Sequence, residues 1–195
     1  MVAAAIMTAV SVNAQSVEYP KNEISVSYGY LSNSQWIDGF ETIFSSIFGE
    51  RYDEDSEKFI GPIAITYFHH VKDWIAVGAM GVYGHSSKDV VDGSKAIVGT
   101  GKNTYFTIMP AVKLDWYRRE HVGMYSKLAL GATYRSESLK FNANSNRTNG
   151  DESSFHFNWQ ATVFGIEVGS PNVRGFFEGG VGEQGLASVG IRYKF

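Results

Sequence analysis

Apolar and polar side chains alternate with a period of two over much of this chain. The clearest case covers residues 103–117, where one set of alternate positions is Thr104, Phe106, Ile108, Pro110, Val112, Leu114 and Trp116. The intervening set is Tyr105, Thr107, Met109, Ala111, Lys113, Asp115 and Tyr117. Since successive side chains of a strand point to opposite faces, this pattern predicts β-strands with one apolar face and one mixed face.

Eight segments of this kind follow one another along the chain. They cover residues 23–31, 59–71, 74–84, 103–117, 122–135, 154–162, 174–182 and 187–195. Long connections at 32–58, 85–102 and 136–153 alternate with tight turns, and only the last connection on the long side, 183–185, is short. Long loops at one end and turns at the other are typical of outer-membrane barrels. We therefore predict an all-β fold, an eight-stranded antiparallel up-and-down transmembrane β-barrel.

The two faces of the predicted strands suit different surroundings. An eight-stranded barrel is only wide enough for its own side chains to fill. We therefore expect the charges of the mixed face to point into the lumen and form ion pairs, namely Lys113, Asp115, Lys127, Arg135, Glu178 and Arg192. The apolar face, with Trp74, Trp116 and Trp159, would contact lipid. A soluble barrel with an aromatic core is the alternative interpretation.

Composition and charge narrow the class of protein. The chain has 195 residues, a formal net charge of -3 and no cysteine. Neither a disulfide nor a thiolate metal site can form without cysteine, and we expect no nucleic-acid binding because there is no basic cluster. The longest apolar stretch, residues 2–10, is shorter than the ~20 residues that a membrane-spanning helix needs.

Residues 1–14 have the character of an export signal. They form an apolar run that ends in Val12, Asn13 and Ala14, the order of small, any and small residue that precedes signal cleavage. The run departs from the usual pattern because no basic residue precedes it. We predict a signal peptide at 1–14 and a single barrel domain at 15–195.

The last seven residues carry a resemblance to a known family. Phe195, Tyr193, Ile191 and Val189 alternate with other residues, and they resemble the C-terminal recognition signal of bacterial outer-membrane barrel proteins. The resemblance implies that these four residues form an assembly signal read by the barrel-assembly machinery. With the export signal and the strand count, the chain resembles the small eight-stranded barrels of OmpA and OmpX type, and its glycine-aromatic texture is most similar to Bacteroidetes barrels.

Candidate catalytic groups fail on geometry. His69 and His70 are neighbours on one strand, so they face opposite sides and cannot share a metal ion. Ser154, His156 and Glu178 are similar in residue type to the catalytic set of the outer-membrane lipid A deacylases, but in that family the histidine precedes the serine. No G-x-S-x-G elbow, phosphate loop or H-E-x-x-H pattern is present. We expect no catalytic residues, no metal site and no cofactor.

The first long connection contains a predicted amphipathic helix over residues 35–48. Trp36, Phe40, Phe44 and Phe48 recur at helical spacing, and Ser32 with Gln35 forms a capping box. The helix could contact lipid, bind a partner or act as a lid. Alternatively, its apolar face packs on the barrel mouth. An acidic run that follows it at residues 50–57 lacks the ligand spacing of a calcium loop.

These observations favour a non-enzymatic outer-membrane barrel with a structural or surface-interaction role through its long extracellular loops. The expected localisation is the bacterial outer membrane, and the expected state is a monomer. Expected contacts are outer-membrane lipid and lipopolysaccharide, the barrel-assembly machinery, and an extracellular or cell-surface protein. A small-solute or ion porin, a lipid A-modifying enzyme and a soluble lipocalin-like binder are the alternatives.

Replacing Phe40, Phe44 and Phe48 together by Ser tests whether the predicted helix belongs to the folding core. Each of these side chains contributes roughly 1.5–3 kcal/mol if it is fully buried. We expect the triple variant to assemble into a barrel as well as the parent chain does, because the strand count is complete without this connection. The measurement is the shift in gel mobility between unheated and heated samples. Loss of that shift would make the helix part of the core.

Overall fold

In the computed structural model the described residues are 19–30, 32, 51–52, 58–91, 97–141 and 150–195. Their strands are β1 (Asn22–Tyr30), β2 (Arg51–Tyr52), β3 (Lys58–Lys72), β4 (Ile75–Val91), β5 (Ile97–Arg118), β6 (Val122–Phe141), β7 (Gly150–Gly169), β8 (Val173–Gly182) and β9 (Ala187–Lys194). No helix within these ranges has the length and apolar character needed to cross a membrane. The predicted signal peptide and the predicted helix at 35–48 lie outside the described residues.

The eight long strands close into a ring. β3 to β9 pair in chain order, each antiparallel to the next, and β1 pairs with both β3 and β9. The two-residue β2 adds to the end of β4. Within the described residues every strand is therefore antiparallel, and the predicted eight-stranded up-and-down barrel is confirmed.

Four strands are longer than the sequence pattern predicts. β4 and β5 stay paired out to Val91 and Ile97, so most of the predicted loop at 85–102 is a continuation of this hairpin. β6 and β7 likewise stay paired out to Leu139 and Gly150. Both faces of these outer segments carry polar side chains, so the alternation disappears although the backbone pairing continues. The predicted strand ends on this side were therefore wrong.

Bulges change which side chains face inward. In β7, Thr162 pairs with Gly180 but Phe164 pairs with Gly179, so one extra residue is inserted at Val163. As a result Thr162 and Glu167 both point into the barrel although five positions separate them. A second shift near the end of β5 leaves both Trp116 and Tyr117 exposed, whereas the alternation had placed Tyr117 on the inner face.

Pro110 interrupts the sheet locally. Proline has no amide hydrogen to donate, so its place in the middle of a barrel strand implies a bulge or a break. The ladder between β5 and β6 runs to Ile108 paired with Ala132 and resumes at Ala111 paired with Ala129, in the same register. The irregularity is therefore a break without a bulge.

The polarity of the barrel is inverted relative to a water-soluble protein. Its outer face exposes large apolar side chains, whereas most of its buried side chains are polar or charged. Paired outward positions form an aromatic row across four strands, composed of Tyr83, Phe106, Tyr134 and Phe155. Trp116 lies ten residues from Phe106 on β5, which is about 33 Å along a strand and about 25 Å across a membrane at the usual tilt. This is the architecture of outer-membrane β-barrels.

Tyr193 lies on the outer face of β9, where it pairs with Ile24 of β1 and Val173 of β8. We expect Tyr193→Asp to reduce assembled barrel several-fold, because a carboxylate on the lipid face disfavours insertion. Heat-modifiable gel mobility measures the assembled fraction. Ser153→Asp is the matched control, since it adds the same charge at an exposed position of the outer part of β7. Equal assembly of both variants would contradict the prediction.

Candidate functional site: the ion-paired lumen

The lumen is lined by ionisable side chains that are almost completely buried. Each is at most 7% exposed, and together they come from seven of the eight barrel strands. They are Glu23 on β1, His70 on β3, Lys113 and Asp115 on β5, Lys127 on β6, Glu167 on β7, Arg174 and Glu178 on β8, and Arg192 and Lys194 on β9. Burying ions is costly unless opposite charges and hydrogen bonds compensate them.

Glu167 is the centre of the layer closest to the tight turns. Its Oε1 accepts a hydrogen bond from Arg174 Nη1 at 2.7 Å and contacts Lys194 Nζ. Its Oε2 accepts a hydrogen bond from Arg192 Nη1. One carboxylate thus pairs with three cations from the two strands that follow it.

A second layer joins the first strand to the middle of the chain. Lys113 Nζ donates to Glu23 Oε1 at 2.7 Å and lies 3.2 Å from Asp115 Oδ1. Asp115 Oδ2 is 2.9 Å from His70 Nε2. Arg192 Nε lies 3.6 Å from Glu23 and connects this layer with the one around Glu167.

The third layer surrounds Glu178. Tyr125 donates its hydroxyl hydrogen to Glu178 Oε1 at 2.7 Å, and Lys127 Nζ donates to Oε2 at 2.8 Å. The guanidinium of Arg192 lies 4.6 Å from the Tyr125 ring centroid and 4.7 Å from that of Phe176. Arg192 therefore packs between two rings while its nitrogen atoms bind carboxylates, which suits the planar, weakly hydrated guanidinium.

The short connection between β8 and β9 folds into the barrel. The side-chain carbonyl of Gln184 accepts from Lys127 Nζ at 2.6 Å, and its amide donates to Ser27 at 2.8 Å and Ser188 at 3.1 Å. Gln184 is 1% exposed. Glu183, Gln184 and Gly185 are buried, so this connection folds into the outer end of the lumen in place of forming an external loop.

Close backbone contacts hold this connection in place. Gly185 has a φ of 106°, a left-handed conformation that favours glycine. A Cβ atom at Gly29 would overlap the carbonyl oxygen of Gln184. β1 and the connection can approach this closely only because position 29 has no side chain.

A row of uncharged polar groups on β5, β6 and β7 lies beside the folded connection. Thr107 donates to Glu183 Oε1 at 3.0 Å and shares a 2.6 Å hydrogen bond with Thr133. Asn158 Nδ2 donates to Thr133 at 2.9 Å. These contacts extend the buried polar network beyond the charged layers.

The structure places the sequence-predicted residues as follows. Lys113, Asp115, Lys127, Glu178 and Arg192 belong to the layers above, whereas the buried Arg135 contacts Glu137 at 2.6 Å, away from those layers. The four residues of the proposed assembly signal, Val189, Ile191, Tyr193 and Phe195, are all exposed on the outer face. The predicted helix residues Trp36, Phe40, Phe44 and Phe48 lie outside the described part of the chain.

Sequence reasoning missed several members of the network. Glu167 follows the bulge at Val163, which interrupts the alternation, so the predicted strand at 154–162 ends before it. Lys194 stands on the same alternate positions as Arg192 and could have been found by the same pattern. The sequence analysis considers His70 only as a metal ligand, whereas in the structure it is buried and bound to Asp115.

The residues similar to a deacylase set are not brought together. Glu178 pairs with Gly165 on β7, eleven residues along the strand from Ser154. That separation is about 36 Å at the rise of a strand. Glu178 is instead bound within the charged layers by Tyr125 and Lys127. Among the described residues no group of three potential metal ligands is found.

Comparisons with known proteins give only distant similarities. No protein-family model matches the sequence, and no curated protein matches it. Ail, the attachment invasion locus protein of Yersinia pestis, is 16% identical, with a TM-score of 0.41 over 91% of this chain and 99% of that one. The N-terminal β-barrel domain of Pseudomonas aeruginosa OprF is 14% identical, with a TM-score of 0.40 over 91% and 98%.

Glu167→Gln tests the charged layers. Because the carboxylate pairs with Arg174, Arg192 and Lys194, its neutralisation leaves buried positive charge uncompensated. We expect the free energy of unfolding to fall by about 3–5 kcal/mol, measured by urea unfolding of the barrel in detergent. Glu152→Gln is the matched control on the same strand, because Glu152 is exposed, and its effect should stay within about 0.5 kcal/mol. Equal stability of the two variants would show that the network contributes nothing.

Proposed function

We propose that this chain is a closed, non-enzymatic barrel of the bacterial outer membrane, with a structural or surface-interaction role. The observation that carries the proposal is the inverted polarity of the barrel. Ionised side chains fill its interior, and its outer face is apolar between two aromatic levels about 25 Å apart. A soluble binder would require charged side chains on the outer face.

The outer face of β5 illustrates the lipid-facing character. Its exposed side chains include Phe106, Ile108, Val112, Leu114 and Trp116. No outward position from Phe106 to Trp116 carries a charged residue. A lipid environment accepts such a surface, and a closed sheet leaves no edge strand with a row of unpaired backbone groups there. These two properties together support insertion by strands.

The filled lumen supports a role without transport. Three layers of ion pairs and the folded connection at 183–186 occupy its cross-section. The charged side chains of the lining are bound in ion pairs with one another, so a solute would have to break buried ion pairs to pass. We therefore favour the structural or interaction role over the small-solute or ion pore.

The part of the barrel that is available for interaction is the outer extension of β4 to β7. β5 continues nine residues beyond Phe106, to Ile97, which is about 30 Å along the strand. Lys102, Glu137 and Lys140 are among its polar side chains. This extension would present its faces, and the connections that it carries, to the cell exterior.

Membrane fractionation tests the localisation. We expect the chain to be recovered with the outer membrane and to migrate differently on a gel before and after heating, because a closed barrel resists detergent unfolding. Recovery in the soluble periplasm would overturn the proposal.

Planar-bilayer recording tests the closed lumen. We expect the purified barrel, shown to be folded by its heat-modifiable mobility, to give no large and stable conductance steps. A general porin inserted under the same conditions is the positive control, and a sample without protein is the blank. Stable conductance steps as large as those of the porin would contradict the closed lumen and favour a small-solute or ion pore.

A further inference from the structure

A local basic patch lies at the tight-turn end of the barrel, on the side of β3 to β6. Lys21, Lys72 and Arg119 are exposed there, and Arg118 is partly buried between them and the chain entering β1. The turn on the other side, residues 170–172, consists of serine, proline and asparagine. The charge is therefore confined to one sector of the rim.

Three cations of this patch lie near aromatic rings. Lys72 Nζ is 6.0 Å from the ring centroid of Trp74, and the guanidinium carbon of Arg119 is 5.6 Å from that of Tyr117. Both rings are about half exposed, at 54% and 45%. Each pair presents a positive charge beside a ring that can insert at a membrane interface.

The third pair, Arg118 with Tyr19, connects the patch to the chain that enters β1. Arg118 lies 4.9 Å from the Tyr19 ring centroid, and its Nη2 donates to the carbonyl oxygen of Pro20 at 2.6 Å. Its Nη1 lies 4.0 Å from Asp73 Oδ1. Among the described side chains of this sector, four cations, Lys21, Lys72, Arg118 and Arg119, therefore face two carboxylates, Asp73 and Glu120.

Apolar side chains continue from the patch along the outer wall. Trp116 and Phe164 lie next to each other with ring centroids 6.2 Å apart, and Leu114 precedes them on the outer face of β5. A ligand that fits this combination has a negatively charged head and a hydrocarbon tail. An anionic phospholipid of the inner leaflet has both.

We propose that this patch binds the headgroup of an anionic phospholipid, with Lys72 and Arg119 contacting the phosphate and Trp74 and Trp116 flanking the acyl chains. This inference rests on the proposed function, because it requires the turns to face the periplasm. Zwitterionic phospholipids carry the same phosphate, so the selectivity comes from the net charge of the headgroup.

Tryptophan quenching by brominated lipids tests the site. In a chain with Trp36 and Trp159 replaced by Phe, the tryptophan fluorescence comes from Trp74 and Trp116 alone. The purified barrel is reconstituted into vesicles in which brominated phosphatidylglycerol or brominated phosphatidylcholine is the quencher. We expect the phosphatidylglycerol to be preferred by about three- to tenfold. Raising the salt to about 0.5 M should weaken the preference by screening.

Paired variants locate the effect. Lys72→Gln with Arg119→Gln should abolish the preference, whereas Lys102→Gln with Lys140→Gln, which removes the same charge from the outer extension, should leave it unchanged. Equal quenching by both lipids, a preference that survives the first pair, or equal loss in the control pair would overturn the inference. If the first pair fails to fold, a salt-independent preference in the parent chain overturns it. Absence of quenching by either lipid would instead contradict membrane insertion, and with it the proposed function.

Discussion

A barrel of eight strands has an interior only as wide as its own side chains, and here many of those side chains carry charges that must neutralise one another. This constraint ties together strands that are far apart in the sequence. Glu23 pairs with Lys113, and Glu167 pairs with Arg192 and Lys194. A slip of one residue in any of the seven strands that carry these ions would turn them toward lipid, so the ion pairs also specify the register of those strands.

The same constraint explains why apolar packing has a small part in this fold. Most of the buried apolar residues in the described part of the chain form one cluster that includes Phe68, Met80, Tyr105 and Met109. The large aliphatic side chains are mostly on the outer wall. In a bilayer the outer side chains contact hydrocarbon in any arrangement, so their packing stabilises no particular arrangement of the strands. The polar interior therefore provides most of the specificity that a hydrophobic core provides in a soluble protein.

The sequence predicts the barrel fold but only some of the side chains that line the lumen. In β5 and β6 one face contacts lipid and the other faces the lumen, so the polarity of a residue indicates which way its side chain points. Lys113 and Lys127 can therefore be assigned to the lumen from the alternation alone. In the outer extension both faces are polar, and the strand ends cannot be found by polarity. In β7 the bulge at Val163 exchanges odd and even positions, which concealed Glu167. The inward fold of residues 183–186 depends on glycine conformations that alternation does not report.

The buried position of Gln184 also limits how this molecule can diverge. Connections at the outer end of a barrel ordinarily tolerate insertions and drift in sequence. Residues 183–186 cannot lengthen without withdrawing Gln184 from Lys127 and Ser27, and Gly29 cannot acquire a side chain while the connection stays in place. Homologues that keep this interior should therefore vary in length elsewhere, and a foreign epitope grafted for surface display belongs away from the corner where β8 meets β9.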